Sequence, residues 1–222
     1  MAVPGQTSRA KPGLWQRVRP SLISVYARGE LLWRLARRSR SPFVSSYLDG
    51  LKGVEIGASS HNCFYLDAIN VDRYGGQDTA YKRKERRLAL HAVKVDVVAP
   101  GDDLPFADDS YDFVFSSHVI EHFPDPIKAL REWIRVARRY VVVLAPHRDL
   151  TFDADRPVTG IEELLERNRT GFTSEEDRHW SVWTPESFLD MCRALKLTVV
   201  DSQVPDDKVG NGFTVVIDAS VT

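Results

Sequence analysis

The sequence has few of the features that mark secreted, zinc-stabilised or membrane-spanning proteins. It contains two cysteines in 222 residues, Cys63 and Cys192, and neither has Cys or His companions at zinc-site spacing. No run of about 18 apolar residues is present, and the N-terminus lacks the apolar core of a signal peptide. We therefore expect no disulfide framework, structural zinc site or transmembrane span, and we predict a cytoplasmic protein.

A strong overall charge is also missing. The net charge is -1, so the chain as a whole has no attraction for nucleic acid, and 43% hydrophobic with 27% charged residues indicates an ordinary globular domain. Residues 1–44 differ, because they contain nine Lys and Arg residues and a single acidic residue, Glu30. We predict a basic helical extension at 1–44 and one main domain at 45–222. The extension either packs on the domain edge or contacts a membrane surface or a partner, and a homodimer is compatible with the sequence.

Beyond residue 52 the sequence alternates short β-rich runs with helical segments, which is typical of a parallel sheet covered by helices. Seven strands are predicted, at residues 53–57, 68–72, 93–98, 112–117, 140–145, 197–200 and 213–217. Four helices are predicted between them, at 79–90, 126–137, 161–168 and 185–195. The last two strands are too close for a helical crossover, so they should pair antiparallel. The predicted fold is α/β, with a Rossmann-like seven-stranded sheet, mostly parallel with one reversed edge strand and helices on both faces.

Ligands of such sheets bind beyond the carboxyl ends of the strands. Gly57 permits a tight turn after the first strand, although two of the three glycines of a dinucleotide fingerprint are absent. Asp72 ends the second strand, where a carboxylate can accept hydrogen bonds from ribose hydroxyls, and Asp96 with Val97 suits an adenine ring. Each acid alone is more often a solvated loop residue. Together, the three strand ends predict a nucleoside site.

The fourth strand end carries a more specific pattern. Residues 115–126 read FSSHVIEHFPDP, residues 104–112 before them read LPFADDSYD, and a helical segment follows at 127–136. From about residue 53 to 157 the chain resembles the class I S-adenosylmethionine-dependent methyltransferases of the small-molecule type. It is further similar to a bacterial subgroup associated with glycan pathways, among them mycobacterial sugar O-methyltransferases of methylmannose polysaccharide synthesis. That similarity lies in residues 54–62, 70–72, 96–104, 145–159 and 179–186.

The resemblance implies a set of residues that bind S-adenosylmethionine. The set is Glu55, Gly57, Ala58, Ser59, Asp72, Arg73, Asp96, Val97, Ser116 and Ser117. It implies that Asp72 binds the ribose, that Asp96 binds the adenine and that the two serines lie beside the methionine moiety. Ser59 and His61 stand where many relatives have glycine, which leaves the backbone shape of the first loop open.

Methyl transfer to an alcohol requires an aligned acceptor oxygen and a base. His147, after the fifth strand, is the predicted base, and His118, after the fourth, is a second candidate. The long segment 149–183 is predicted to act as a lid. The carboxylates, arginine and indoles of this lid suit sugar recognition, and the predicted substrate-binding residues are Asp153, Arg156, His179 and Trp180.

The predicted function is therefore O-methylation of a small hydroxylated acceptor, a sugar or glycan precursor in the first instance. Phenolic, lipid or nucleic-acid acceptors stay as alternatives, although nucleic acid is not expected because the domain lacks basic residues interleaved with aromatics. A further alternative is a protein that binds the cofactor without catalysis.

Residues 118–122, with the sequence HVIEH, also match the H-x-x-E-H pattern of zinc peptidases. Pro124 and Pro126 favour a strand-to-helix turn there rather than the long helix that such a site requires, so we do not expect a peptidase. The carboxylates of segment 149–183 leave a divalent metal such as magnesium open as a further cofactor, with no ligand set identified.

Overall fold

A computed structural model of the protein describes residues 41–57, 64–76, 78–89, 92–208 and 210–221. The helix predicted in the basic extension and the predicted cofactor residues Ala58 and Ser59 lie outside these ranges. The division at residue 44 and the role of the extension therefore stay predictions.

Seven strands form one sheet in the order β3-β2-β1-β4-β5-β7-β6. Strands β1 to β5 run parallel to one another, and β7 runs antiparallel to both of its neighbours. The strands are β1 (Gly53–Ile56), β2 (Ala68–Asp72), β3 (Val97–Val98), β4 (Tyr111–Ser117), β5 (Ala137–Pro146), β6 (Thr198–Gln203) and β7 (Gly212–Asp218). The predicted fold class is confirmed.

One detail of the sheet differs from the expectation. The reversed strand is β7, which lies one place inside the edge strand β6 rather than at the edge. The burial of the two strands explains this order: residues 212–217 of β7 are all buried, whereas β6 is mostly exposed. An apolar strand gains more from two neighbours than a polar one, so β7 occupies the inner position.

In the part of the chain that the structure describes, five helices pack around the sheet, namely α1 (Pro42–Leu48), α2 (Ala80–Ala89), α3 (Pro126–Val136), α4 (Ile161–Thr170) and α5 (Pro185–Ala194). Asp125 caps the N-terminus of helix α3, because its carboxylate accepts a hydrogen bond from the Lys128 amide at 3.0 Å. Pro126 lies in the first turn. Helix α4 ends at Gly171, which adopts the left-handed conformation with φ +63°. Helix α1 was not predicted, although Ser41 caps it and Pro42 opens it.

Neighbouring residues of β4 and β5 point to opposite faces of the sheet and supply two apolar cores. Val114 and Val143 belong to the core that holds Trp133 of α3 and Phe188 of α5. The second core, on the other face, joins side chains of α1, β4, β5 and β7, and contains Val44, Leu48, Phe64, Phe113, Phe115, Val142, Leu144 and Val216. The sheet is thus covered on both faces, which leaves its carboxyl edge for binding.

Within the described residues, no helix combines the length and the apolar character needed to cross a membrane.

Candidate active site

The turn after β1 is shaped by Gly57. Its φ is +68°, and a Cβ atom at this position would lie 2.5 Å from Val119 Cγ2. Both the backbone conformation and the close approach of Val119 therefore require glycine. This contact joins the end of β1 to the turn that follows β4.

A cavity of about 530 Å³ opens at the carboxyl ends of β1 to β4, and we call it the strand-end cleft. Its volume lies in the range of small-molecule and cofactor sites. The residues of the strand ends that line it are Gly57, Asp72, Arg73, Gly101, Asp102, Asp103, His118 and Val119. The cleft thus contains the predicted residues Gly57, Asp72 and Arg73.

Asp72 presents a carboxylate at the end of β2. One oxygen accepts a hydrogen bond from the Tyr74 amide at 2.9 Å. Partial burial raises the pKa of Asp72, and the Tyr74 amide opposes that shift. The neighbouring Arg73 forms an ion pair with Glu175, and this bond is the main cause of its raised pKa. The pair connects β2 to the loop after α4.

The third strand end differs from the prediction. The Asp96 carboxylate accepts a hydrogen bond from the Asn70 amide at 3.0 Å, and neither Asp96 nor Val97 lines the cleft. The physical reason is that β3 consists only of Val97 and Val98, so Asp96 precedes the strand and Val97 begins it rather than ending it. Gly101, Asp102 and Asp103 line the cleft instead.

The loop that follows β3 is fixed by hydrogen bonds from helix α3. Trp133 donates a hydrogen bond from Nε1 to the Gly101 carbonyl at 2.7 Å, and Lys128 Nζ bonds Asp102 at 2.8 Å. A Cβ atom on Gly101 would lie 2.8 Å from Ile56 Cγ2 and from Phe123 Cζ. Position 101 therefore also requires glycine, a need that the sequence alone did not indicate.

Glu55, Ser116 and Ser117 lie in the sheet beside the cleft rather than in its lining. Burial raises the pKa of Glu55 to about 7, and the nearby Lys208 opposes this shift. Ser117 Oγ accepts a hydrogen bond from Lys208 Nζ at 2.9 Å. No described atom forms a hydrogen bond with Glu55 Oε2 or Ser116 Oγ. The three residues thus form a buried polar group beside the cleft.

Lys208 is a site residue that the sequence did not reveal. It lies in the connection between β6 and β7, where the Asp206 carboxylate accepts hydrogen bonds from the amides of Lys208, Gly210 and Gly212. This turn directs the lysine towards the end of β4. A lysine in a polar, turn-rich segment is ordinarily a surface residue, so the sequence does not indicate that Lys208 reaches the site.

His118 follows β4 and lines the cleft. Its φ is +54°, and its Nε2 has no hydrogen-bond partner among the residues the structure describes. Burial lowers the pKa of His118 to about 4, and the charge of Lys208 lowers it further. At neutral pH the ring is therefore uncharged, and one of its nitrogens can accept a hydrogen bond.

His147 does not reach the cleft. It pairs with Trp183 at the end of β5, and its Nδ1 accepts a hydrogen bond from the Asp149 amide at 3.1 Å. It lines neither the strand-end cleft nor a second cavity that adjoins the cleft. Of the two predicted catalytic histidines, the structure thus brings only His118 to the cleft.

A second cavity, of about 570 Å³, adjoins the cleft and is called the polar cavity here. The two cavities share Tyr81, His122, Glu176 and Asp177. The remaining lining of the polar cavity is Phe152, Asp153, Arg156, Arg178 and His179. It therefore contains three of the four predicted substrate residues.

The charged groups of the polar cavity are joined through Asp153. This buried carboxylate accepts from Arg156 Nη1 at 2.6 Å and lies 2.6 Å from His179 Nδ1. Trp180, the fourth predicted residue, lies outside the lining. Its ring packs against Phe172 at 5.3 Å, and its amide donates to the Glu121 carbonyl at 2.7 Å. Trp180 therefore helps to position the turn after β4.

The segment HVIEH is no zinc-peptidase helix, because its last three residues, Ile120–His122, form a single 3₁₀ turn. Its buried Glu121 nevertheless lies close to His122 and His179, and these three residues could hold a metal ion. Burial raises the pKa of Glu121 to about 8 and lowers that of His122. Two imidazoles suit magnesium poorly, because this ion prefers oxygen ligands.

Comparisons with known proteins agree with this architecture. The family described as "Methyltransferase domain" matches residues 54–144. The 2-methyl-6-phytyl-1,4-hydroquinone methyltransferase 1, chloroplastic, of Oryza sativa subsp. japonica is 28% identical over 97 residues, which are 41% of this chain and 29% of that protein. The match thus spans less than a third of the length of this curated relative.

Two solved structures have a similar fold. A SAM-dependent methyltransferase from Thermotoga maritima, described as a possible histamine N-methyltransferase, has a TM-score of 0.52 at 19% identity, covering 92% of this chain and 97% of its own. The Burkholderia thailandensis 1,6-didemethyltoxoflavin-N1-methyltransferase, with bound 1,6-didemethyltoxoflavin and S-adenosylhomocysteine, has a TM-score of 0.53 at 17% identity, covering 97% and 93%.

Residues 54–144 thus match the methyltransferase domain family, and the chain shares the fold of these two methyltransferase structures. The names of the three relatives above refer to a hydroquinone, to histamine and to a toxoflavin precursor, and not to a sugar.

Proposed function

We propose that this chain transfers a methyl group from S-adenosylmethionine to a hydroxyl of a small polar acceptor, with a sugar or glycan precursor as the favoured class. The observation that carries the proposal is the junction of the two cavities. The strand-end cleft suits a nucleoside, the polar cavity suits a hydroxylated ligand, and they share His122 and three other residues. Ligands in the two cavities would therefore meet.

The residues of the cleft fit the cofactor. Asp72 offers a carboxylate at the end of β2, where it can accept bonds from ribose hydroxyls. Gly57 and Gly101 allow close approach of the backbone, and Val119 and Phe123 supply apolar walls. When bound, S-adenosylmethionine supplies the methyl group on a sulfonium centre, and the protein has to align the acceptor, exclude water and accept a proton.

His118 is the residue proposed to accept the proton of the acceptor hydroxyl. It lines the cleft directly beside Val119, and its Nε2 is buried without a hydrogen-bond partner in the described part of the chain. His147 has the same chemistry but lines neither cavity. Position therefore favours His118 over His147 as the base.

The polar cavity supports a sugar acceptor through its mixture of groups. Arg156 and His179 can bond hydroxyls while Asp153 holds both in place, and the Phe152 ring is 80% exposed, so its face is available to a sugar ring. A phenolic acceptor is the principal alternative, because the curated relative is named for a hydroquinone. Lipid and nucleic-acid acceptors and a non-catalytic role are further outcomes of the test.

The test is transfer of a labelled methyl group from S-adenosylmethionine to a panel of sugars, phenols, lipids and oligonucleotides. We expect a labelled sugar product. Labelling of a phenol alone would show that the acceptor is a phenol rather than a sugar. No labelling together with tight cofactor binding would favour the non-catalytic role.

A matched pair of variants tests the base. His118→Asn should lower turnover by about 10²- to 10⁴-fold, the usual contribution of a general base. His147→Asn should leave it within about twofold of the wild type, since this residue lies outside both cavities. Asparagine tolerates the positive φ of position 118, so the fold should survive. The opposite ranking of the two variants would restore His147 as the base.

A further inference from the structure

Three histidines surround one oxygen atom of Glu121. His118 Nδ1, His122 Nε2 and His179 Nε2 each lie 4.0 Å from Glu121 Oε1. This distance is too long for a hydrogen bond, so none of the rings bonds that oxygen directly. The four groups nevertheless converge on one small volume between the turn after β4 and the segment after α4.

Carboxylates lie behind two of the rings. His179 Nδ1 shares a hydrogen bond with Asp153 Oδ2 at 2.6 Å, and His122 Nδ1 lies 2.9 Å from Asp177 Oδ1 without the angles of a hydrogen bond. In both cases the opposite nitrogen, Nε2, faces Glu121. A carboxylate on one ring nitrogen, with the other directed at a shared centre, is the usual arrangement of metal-ligating histidines.

Among the described residues, the buried side chain of Glu121 lacks a hydrogen-bond partner on one of its oxygens. Its side chain is 1% exposed, and no described atom forms a hydrogen bond with its Oε2. An ionised carboxylate buried without a partner is unfavourable unless a cation or a donor compensates it. This observation is independent of the histidine geometry.

The surrounding backbone keeps the cluster together. Trp180 donates its amide to the Glu121 carbonyl at 2.7 Å, and Arg156 Nη2 donates to the His179 carbonyl at 2.8 Å. Arg156 also bonds Asp153, the carboxylate behind His179. The segment that carries His179 is thus fixed against the turn that carries Glu121 and His122.

We propose that Glu121, His122 and His179 bind one divalent transition-metal ion of the zinc type. Their donor atoms lie within 4.8 Å of one another. Tetrahedral zinc at about 2.0–2.2 Å from each donor would place them about 3.3 Å apart, so the side chains close by on the order of 1 Å on binding. Three protein ligands leave a fourth position open.

The site would border the polar cavity, because His122 and His179 both line it. His118 Nδ1 lies 4.0 Å from Glu121 Oε1, so its ring borders the same volume. Imidazole donors favour zinc and similar ions over magnesium. The metal site depends on these residues alone and does not require the proposed methyl transfer.

The test uses untagged, full-length protein stripped with a chelator and titrated with zinc chloride by calorimetry. Cobalt(II) in a parallel titration should give the visible absorption of a tetrahedral site, and magnesium chloride serves as the control cation. We expect one equivalent of zinc, with affinity at least 100-fold above that for magnesium.

Matched variants locate the site. The double variant His122→Ala/His179→Ala should lose the bound equivalent, and Asp153→Asn should weaken binding by about 10- to 100-fold through the orientation of His179. His147→Ala, which replaces a histidine outside the cluster, should bind as the wild type does.

Circular dichroism of the metal-free variants checks the fold, and Glu121→Gln, which keeps the side-chain shape, supplies a milder substitution. Absence of zinc binding by the wild type, or equal binding by the double variant, would overturn the proposal.

Discussion

Two fully buried tryptophans provide a matched test of how the core holds the cleft. Trp133 and Trp183 are both 0% exposed, and each packs edge-on against a phenylalanine, at 5.8 Å from Phe123 and 5.4 Å from Phe188. They differ in one respect. Trp133 Nε1 donates to the Gly101 carbonyl at 2.7 Å, whereas Trp183 Nε1 has no partner in the part of the chain that the structure describes.

The free-energy changes follow from this difference. Replacing either tryptophan by phenylalanine empties roughly 40 Å³, which costs about 1 kcal/mol at ~24 cal/mol per Å³. Trp133→Phe also removes a hydrogen bond and leaves the Gly101 carbonyl unpaired, for about 1–2 kcal/mol more. Trp183→Phe removes a buried unpaired donor, which stabilises the folded state by about 1 kcal/mol or more. The expected losses are therefore about 2–3 kcal/mol for Trp133→Phe and about zero for Trp183→Phe.

Urea unfolding followed by far-ultraviolet circular dichroism measures both variants without relying on tryptophan fluorescence. The difference of about 2 kcal/mol corresponds to roughly 4–8 °C in Tm for a domain of this size. Equal destabilisation of the two variants would refute the reasoning, because it would mean that the Gly101 hydrogen bond contributes nothing.

Two further predictions concern the fold. Gly212→Ala should cost about 2–3 kcal/mol in a urea titration, because the new Cβ would lie 2.4 Å from the Ala145 carbonyl oxygen. Gly171→Ala, with no atom within 4 Å, should cost only about 1 kcal/mol from its positive φ, and equal losses would contradict the steric argument. Burial raises the pKa of Cys192 to about 12. In a Cys63→Ser variant, Cys192 should therefore react with a thiol reagent at pH 8 only after unfolding, and rapid reaction of the folded protein would show that the thiol is accessible.

The seven strands could be predicted because each carries a run of apolar or β-branched residues bounded by turn residues. The prediction for β3 was least accurate, since residues 93–96 precede a strand of only Val97 and Val98. The strand therefore starts later than predicted but ends at the same residue, and Asp96, which was assigned to the adenine, precedes it. Its carboxylate instead bonds the Asn70 amide, and Gly101 to Asp103 occupy the strand end.

Other parts of the site depend on contacts that no local pattern encodes. His122 and His179 lie far apart in the chain, so the H-x-x-E-H motif indicated one but not the other as a neighbour of Glu121. Lys208 reaches Ser117 only because β7 returns beside β5. Helix α1 had a local signal, the cap of Ser41 followed by Pro42, which the basic character of the preceding residues obscured.

The central claim is that the strand-end cleft binds S-adenosylmethionine through Asp72. Calorimetric titration of the cofactor into the wild type, Asp72→Ala and Asp96→Ala tests it most directly. We predict a micromolar Kd for the wild type, about -8 kcal/mol, and binding weakened about 10- to 100-fold by Asp72→Ala through loss of a charge-assisted bond. Asp96→Ala should bind as the wild type does, because Asp96 lies outside the cleft. No binding by the wild type, or equal weakening by both substitutions, would contradict the account.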